Sequence, residues 1–219
     1  GSRIAFASGG ENGTRIHQKA STGVGAESAF ESDANQIPVD WSRDGRYIVF
    51  SRPRAQGVAA YDTWLLDVAQ KKEAPFLESQ FDKAHAKVSP DGRWIAYATN
   101  DSGTYQIVVQ SFPDPNGGRW QITAQGGVEP KWKRDGRELY YIAPDGTLTA
   151  VPVSVNGTAF EPGVPAALFQ PPIWTRGANL SARQQYDVTA DGRFLINVAV
   201  CDERAPPITL LLAWGPAGP

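Results

Sequence analysis

Val88-Ser89-Pro90-Asp91-Gly92-Arg93-Trp94-Ile95-Ala96-Tyr97 recurs along this chain. It returns as Trp41-Ser42-Arg43-Asp44-Gly45-Arg46-Tyr47-Ile48-Val49-Phe50 and as Trp132-Lys133-Arg134-Asp135-Gly136-Arg137-Glu138-Leu139-Tyr140-Tyr141. A further copy reads Val188-Thr189-Ala190-Asp191-Gly192-Arg193-Phe194-Leu195-Ile196. The glycines stand at 45, 92, 136 and 192, so the spacing runs 47, 44 and 56 residues. A recurrence of that length marks a solenoid, a propeller or an array.

Each copy has the mechanics of a hairpin. Pro90 presets φ at the second turn position, Asp91 tolerates the third, and Gly92 supplies the positive φ that closes a bulged turn. Asp44-Gly45, Asp135-Gly136 and Asp191-Gly192 repeat that geometry, so these Asp-Gly pairs read as turn structure and not as catalytic groups. A short run ending in Trp or Val enters each turn and an aromatic, β-branched run leaves it, which describes two antiparallel strands. After the third copy come a polar loop, a strand near 105–110, a Gly117-Gly118 turn and a strand near 119–123. Four strands per repeat at this spacing is a propeller blade. The strands leaving the turns are apolar on both faces (Ile95-Ala96-Tyr97, Leu139-Tyr140-Tyr141-Ile142). A sheet between two other sheets needs that, whereas one with a wet face would alternate.

The expected fold class is therefore all-β, a β-propeller of four-stranded antiparallel blades. Five repeats divide the chain at 1–34, 35–82, 83–126, 127–183 and 184–219. The fourth is expected to hold strands near 129–133, 138–143, 147–153 and 166–169, and the fifth near 185–189, 194–200 and 208–214. Gly1-Ser2-Arg3-Ile4-Ala5-Phe6 resembles the back half of the motif, so the first repeat is expected to lack its inner strand. Three complete blades flanked by two incomplete ones imply a piece of a larger ring.

Composition narrows the function. The 219 residues carry 21 Lys and Arg against 23 Asp and Glu, a net charge of −2, which argues against a general nucleic-acid surface. No apolar run approaches the ~20 residues of a spanning helix, so no membrane insertion is expected. With one cysteine, Cys201, and two histidines, His17 and His85, the chain offers no internal disulfide and little for a zinc site, and no cofactor is expected.

The repeated segments, together with Asn100-Asp101-Ser102-Gly103, Gly127-Val128-Glu129-Pro130-Lys131 and Gln185-Tyr186-Asp187, resemble the TolB-type propeller repeat, a relative of the WD-repeat propellers. They are especially similar to the propeller at the C-terminus of bacterial membrane-anchored serine/threonine kinases, whose usual tail Pro206-Pro207-Ile208-Thr209-Leu210-Leu211-Leu212-Ala213-Trp214 also resembles. That resemblance implies an extracytoplasmic, periplasmic sensor or regulatory region, not the catalyst. The chain holds no Gly-rich phosphate loop, no His-Arg-Asp, no Asp-Phe-Gly and no Gly-x-Ser-x-Gly elbow. Similar propellers also sit on transcriptional regulators and ahead of prolyl-oligopeptidase-type hydrolases.

Strand alternation puts the second-to-third-strand loops on the same face as the blade-to-blade connections, and that face is the expected binding surface for a protein or a small extracellular ligand. Its long segments are 52–61, with basic Arg52 and Arg54, and 170–184, where Trp174 and Arg176 are residue types enriched at interface hot spots. The inner strands offer a second set. Asp40, Lys87, Lys131 and Asp187 occupy equivalent positions, so Asp40 with Lys87 and Lys131 with Asp187 are expected to pair between blades. Two positions earlier stand Pro38, His85, Glu129 and Gln185. His85, Glu129 and Gln185 either line a central mouth for a ligand or supply interblade hydrogen bonds. The leading reading is a non-catalytic binding module. The alternatives are the regulatory propeller of a prolyl-oligopeptidase-type hydrolase, a propeller lyase or hydrolase, and a scaffold that self-associates through unfinished edges.

Overall fold

The computed structural model describes residues 2–10, 13–32, 34–54, 61–157, 159–173 and 184–198. All of its sheets are antiparallel. The first holds β1 (Arg3–Gly10), β2 (Gly13–Ala20) and β3 (Ser28–Ala29) in that order. The second runs β4 (Ile37–Trp41), β5 (Tyr47–Pro53), β6 (Tyr61–Asp67) and β7 (Lys72–Leu77). The third runs β8 (Lys83–Val88), β9 (Trp94–Thr99), β10 (Gln106–Ser111) and β11 (Arg119–Gln121). The fourth contains β12 (Val128–Trp132), β13 (Glu138–Ile142), β14 (Leu148–Asn156), β15 (Ala159–Pro162) and β16 (Ala166–Phe169). The fifth is the hairpin of β17 (Tyr186–Val188) and β18 (Phe194–Ile196), and the strand expected near 208–214 lies outside the described residues.

The second, third and fourth sheets each divide their apolar side chains between two neighbours. On β9, Trp94, Ala96 and Ala98 join Trp132, Leu139 and Tyr141 of the fourth sheet. The intervening Ile95 and Tyr97 join Val49 and Leu65 of the second. On β13, Leu139 and Tyr141 face the third sheet while Tyr140 and Ile142 meet Tyr186 of the fifth. Ile48 and Phe50 of β5 turn to Ile16 and Phe30 of the first. A strand's period of two thus feeds both interfaces, which is how blades stack around an axis.

The fourth blade departs from the expected pattern. Its β14 runs to Asn156, pairing β16 through Leu148–Ala150 and then β15 through Val153–Asn156. The extra β14–β15 hairpin sets Phe160, 3% exposed, among Trp94, Trp120 and Trp132 at ring-centre distances of 5.4, 5.5 and 6.2 Å. Arg93 Nη1 ties the hairpin tip to the third blade by donating to the Gly157 carbonyl at 2.9 Å.

Candidate functional site: the cleft at the turn tips

The four Asp-Gly turns share one construction. Gly45, Gly92, Gly136 and Gly192 adopt φ of 76, 72, 75 and 85°, the left-handed region that glycine enters at little cost. Each glycine N–H donates to the carbonyl three residues back, of Ser42, Ser89, Lys133 and Thr189. In the first two, the hydroxyl of Ser42 or Ser89 donates to the turn aspartate at 2.6 or 2.5 Å and accepts from the N–H of Tyr47 or Trp94 at 2.9 or 3.0 Å. Thr189 donates to Asp191 in the same way. Lys133 replaces the hydroxyl in the remaining turn and reaches Glu138 instead, at 2.9 Å. The carboxyl of Asp44 is held below its ordinary range by the Ser42 hydroxyl, and that of Asp191 by Thr189.

Inside these turns, the inner strands are stitched to one another. Asp40 Oδ2 accepts from the Val88 N–H of the next blade at 2.7 Å, while Lys87 Nζ donates to the Val39 carbonyl. The expected Asp40–Lys87 contact is therefore replaced by two side-chain-to-backbone bonds. Both strands carry a bulge here, as β12 does before Lys131: pairing with the second strand shifts between Pro38 and Asp40 and between Ala84 and Lys87. Burial lowers the Lys87 pKa, an effect the nearby Asp40 partly opposes, and burial raises that of Asp40 against the pull of Lys87. Lys131 and Asp187 do pair, at 2.8 Å. Trp132 Nε1 donates to the Lys87 carbonyl at 2.9 Å.

His85 and Glu129 occupy the bulges of β8 and β12 with φ of 56 and 55°, and both are buried, at 5 and 4% exposure. Such a conformation costs a non-glycine residue about 1–3 kcal/mol and persists where surroundings fix it. For Glu129 they do. Its two carboxylate oxygens accept from Gln185 N at 2.7 Å and Gln185 Nε2 at 2.9 Å, and its carbonyl accepts from the Tyr186 hydroxyl at 2.8 Å. Burial raises the Glu129 pKa, opposed by those Gln185 bonds and by Lys87.

On the opposite face, Arg52 lies in β5, bonded to Glu73 and stacked 3.8 Å over the Trp64 ring. Arg54 pairs with Asp62 at 3.1 Å and donates to the Phe81 carbonyl. Trp174 and Arg176 lie outside the described residues. His17 contacts Glu27 at 3.0 Å. Among the described residues no group of three or more His, Cys, Asp or Glu is placed to hold a metal, and no helix is long and apolar enough to cross a membrane.

Among the described residues, an open concavity lies at the turn tips. A cleft of about 650 Å³ has Asp40, Lys87, Lys131 and Asp187 on its floor and Arg43, Pro90, Arg134 and Ala190 on its rim. Trp41, Val88, Trp132 and Val188 complete its apolar wall. The rim residues are the second positions of the four successive turns, so the repeat itself lines them up. The turn tips, expected to be scaffolding, thus bring together Arg43, Arg134, Trp41 and Trp132, none of them among the candidates the sequence singles out. The signal was present: Arg precedes Asp-Gly in two copies, where Pro90 and Ala190 stand in the others.

Solved propellers share this architecture. A TolB protein of Agrobacterium tumefaciens superposes with a TM-score of 0.60 at 19% identity, covering 79% of this chain and 65% of that one. TolB from Acinetobacter baumannii gives 0.60 at 17%, covering 78% and 42%. A Mycobacterium tuberculosis puromycin-hydrolysing peptidase gives 0.58 at 14%, covering 90% and 35%. The fold is a propeller of the TolB type. This chain thus spans less than two thirds of either TolB protein's length. No protein-family model and no curated protein matches the sequence.

Proposed function

We propose that this chain is a non-catalytic binding module, the extracytoplasmic sensor or regulatory region of a larger bacterial signalling protein such as a serine/threonine kinase. One observation carries the reading. The polar groups of the inner strands, where a propeller enzyme would place its chemistry, are committed to blade-to-blade bonds: Glu129 to Gln185, Asp40 to Val88, Lys131 to Asp187. What remains open is a rigid, polar-rimmed cleft suited to recognition. The similarity of the repeats to kinase-linked propellers supports the signalling context.

The test is turnover. The full chain, incubated with chromogenic esters, peptide anilides and oligouronates, is expected to show none above a Glu129→Gln variant. Turnover that vanishes in Glu129→Gln or His85→Ala would overturn the reading. The likeness to a peptidase over most of this chain favours a second role, the regulatory propeller of a prolyl-oligopeptidase-type hydrolase. Reading the gene on both sides of this segment separates the two, since a kinase domain supports the first and an α/β-hydrolase domain the second.

A further inference from the structure

The turn-tip cleft is charged unevenly. Four cations, Arg43, Lys87, Lys131 and Arg134, face two carboxylates, Asp40 and Asp187. Lys131 and Asp187 neutralise one another at 2.8 Å. Asp40 accepts from Val88 N and lies near Lys87, whose ammonium is bonded to a neutral carbonyl. Among the described residues neither Arg43 nor Arg134 enters any ion pair or hydrogen bond. Of the arginines that follow the turn glycines, Arg137 likewise has no side-chain partner among the described residues, but it lies on a separate cleft beside Trp94 and Val153. The other three are engaged. Arg46 reaches Asp67 at 3.5 Å, while Arg93 and Arg193 fold back on the aspartates of their own turns at 2.9 and 2.8 Å. Two exposed guanidinium forks therefore stand uncommitted on one rim, on either side of Pro90 in turn order, above a half-buried ammonium.

We propose that this cleft docks an extended acidic segment of a protein partner, with Arg43 and Arg134 gripping its carboxylates and Lys87 adding charge from below. A planar guanidinium matches a carboxylate with two parallel bonds, and a cleft with low-dielectric walls concentrates its field. The walls decide for a polypeptide over a small anion. Trp41, Pro90 and Val188, each part-exposed, offer apolar surface that a dicarboxylate would leave uncovered. An extended strand sends alternate side chains to opposite sides, so acids can meet the arginines while apolar residues meet Trp41 and Val188. The proposal rests on the binding-module reading and names its partner's chemistry.

The experiment is an anisotropy titration of the full chain with a fluorescein-labelled peptide of alternating Glu and Leu. The peptide is expected to bind, and binding is expected to weaken as salt rises. Arg43→Ala and Arg134→Ala should each weaken it about tenfold, and the pair reversed to Glu should abolish it, without change in the thermal midpoint because both residues are exposed. Arg3→Ala with Arg15→Ala, on the first blade, should leave affinity unaltered. Equal binding by the reversed variant, equal binding of a Lys-Leu peptide, or displacement by glutarate at peptide-like concentration would each overturn the proposal. A peptide that fails to bind sinks only this inference; the binding-module reading falls on turnover.

Discussion

Replacing Phe160 with alanine probes the feature that most distinguishes the fourth blade from its neighbours. The ring is 3% exposed and meets Trp94, Trp120 and Trp132. Burying a phenylalanine side chain contributes up to about 3 kcal/mol by transfer alone. Aromatic pairs add about 0.5–1.5 kcal/mol each, though not additively, and truncations of this kind cost about 3–5 kcal/mol. Among the described residues one bond, from Arg93, ties the tip of the hairpin that carries Phe160 to the third blade, so the hairpin can settle partway into the cavity. The expected loss is therefore near the bottom of that range, about 3 kcal/mol. For a chain of this size that lowers the thermal midpoint by about 6–12 °C. Trp94 and Trp120 pack edge to face at 5.2 Å, so near-ultraviolet circular dichroism should lose amplitude in step. Phe160→Leu should cost under about 1.5 kcal/mol. A loss below about 1 kcal/mol in urea unfolding of Phe160→Ala, with the dichroism unchanged, would show that the hairpin is a surface appendage and not a plug between blades.

Ser89→Ala removes the hydroxyl that accepts from Trp94 N–H and donates to Asp91, leaving a buried amide unsatisfied. It should cost about 1–3 kcal/mol in urea unfolding, and an unchanged midpoint would refute the turn's construction. The carboxyls of Asp44 and Asp191 titrate below their ordinary 3.8 in the folded chain. Their stabilisation is complete above the unfolded value and is lost as pH falls through the depressed folded one. Between about pH 5 and pH 3, the parent should lose more stability than Asp44→Asn with Asp191→Asn, and equal losses would contradict that assignment.

The turns were legible because their geometry is local. A glycine at positive φ and an aspartate beside it announce a hairpin wherever they recur. Blade stacking was legible too, since apolar residues on both faces of β9 and β13 have no use except between two sheets. The β14–β15 hairpin was not, because the turn at Asn156-Gly157 interrupts a strand whose pairing with β16 ends earlier. The inner strands were read correctly in which positions face one another, yet Asp40 bonds a backbone amide, and of the two expected pairs Lys131–Asp187 alone is an ion pair. The cleft was hidden for a different reason. Arg43 and Arg134 share a rim only because rotation about an axis carries equivalent turn positions side by side, and no window of sequence contains both.

Recognition at the turn tips and recognition on the loop face are distinguished directly by the tryptophan indole resonances. In a ¹H–¹⁵N spectrum of the full chain titrated with the Glu-Leu peptide, the indole signals of Trp41 and Trp132, which line the cleft, should shift. That of Trp64, beneath Arg52 on the other face, should stay in place. Movement of Trp64 with Trp41 and Trp132 unmoved would put the ligand on the wrong side of the molecule and contradict the account.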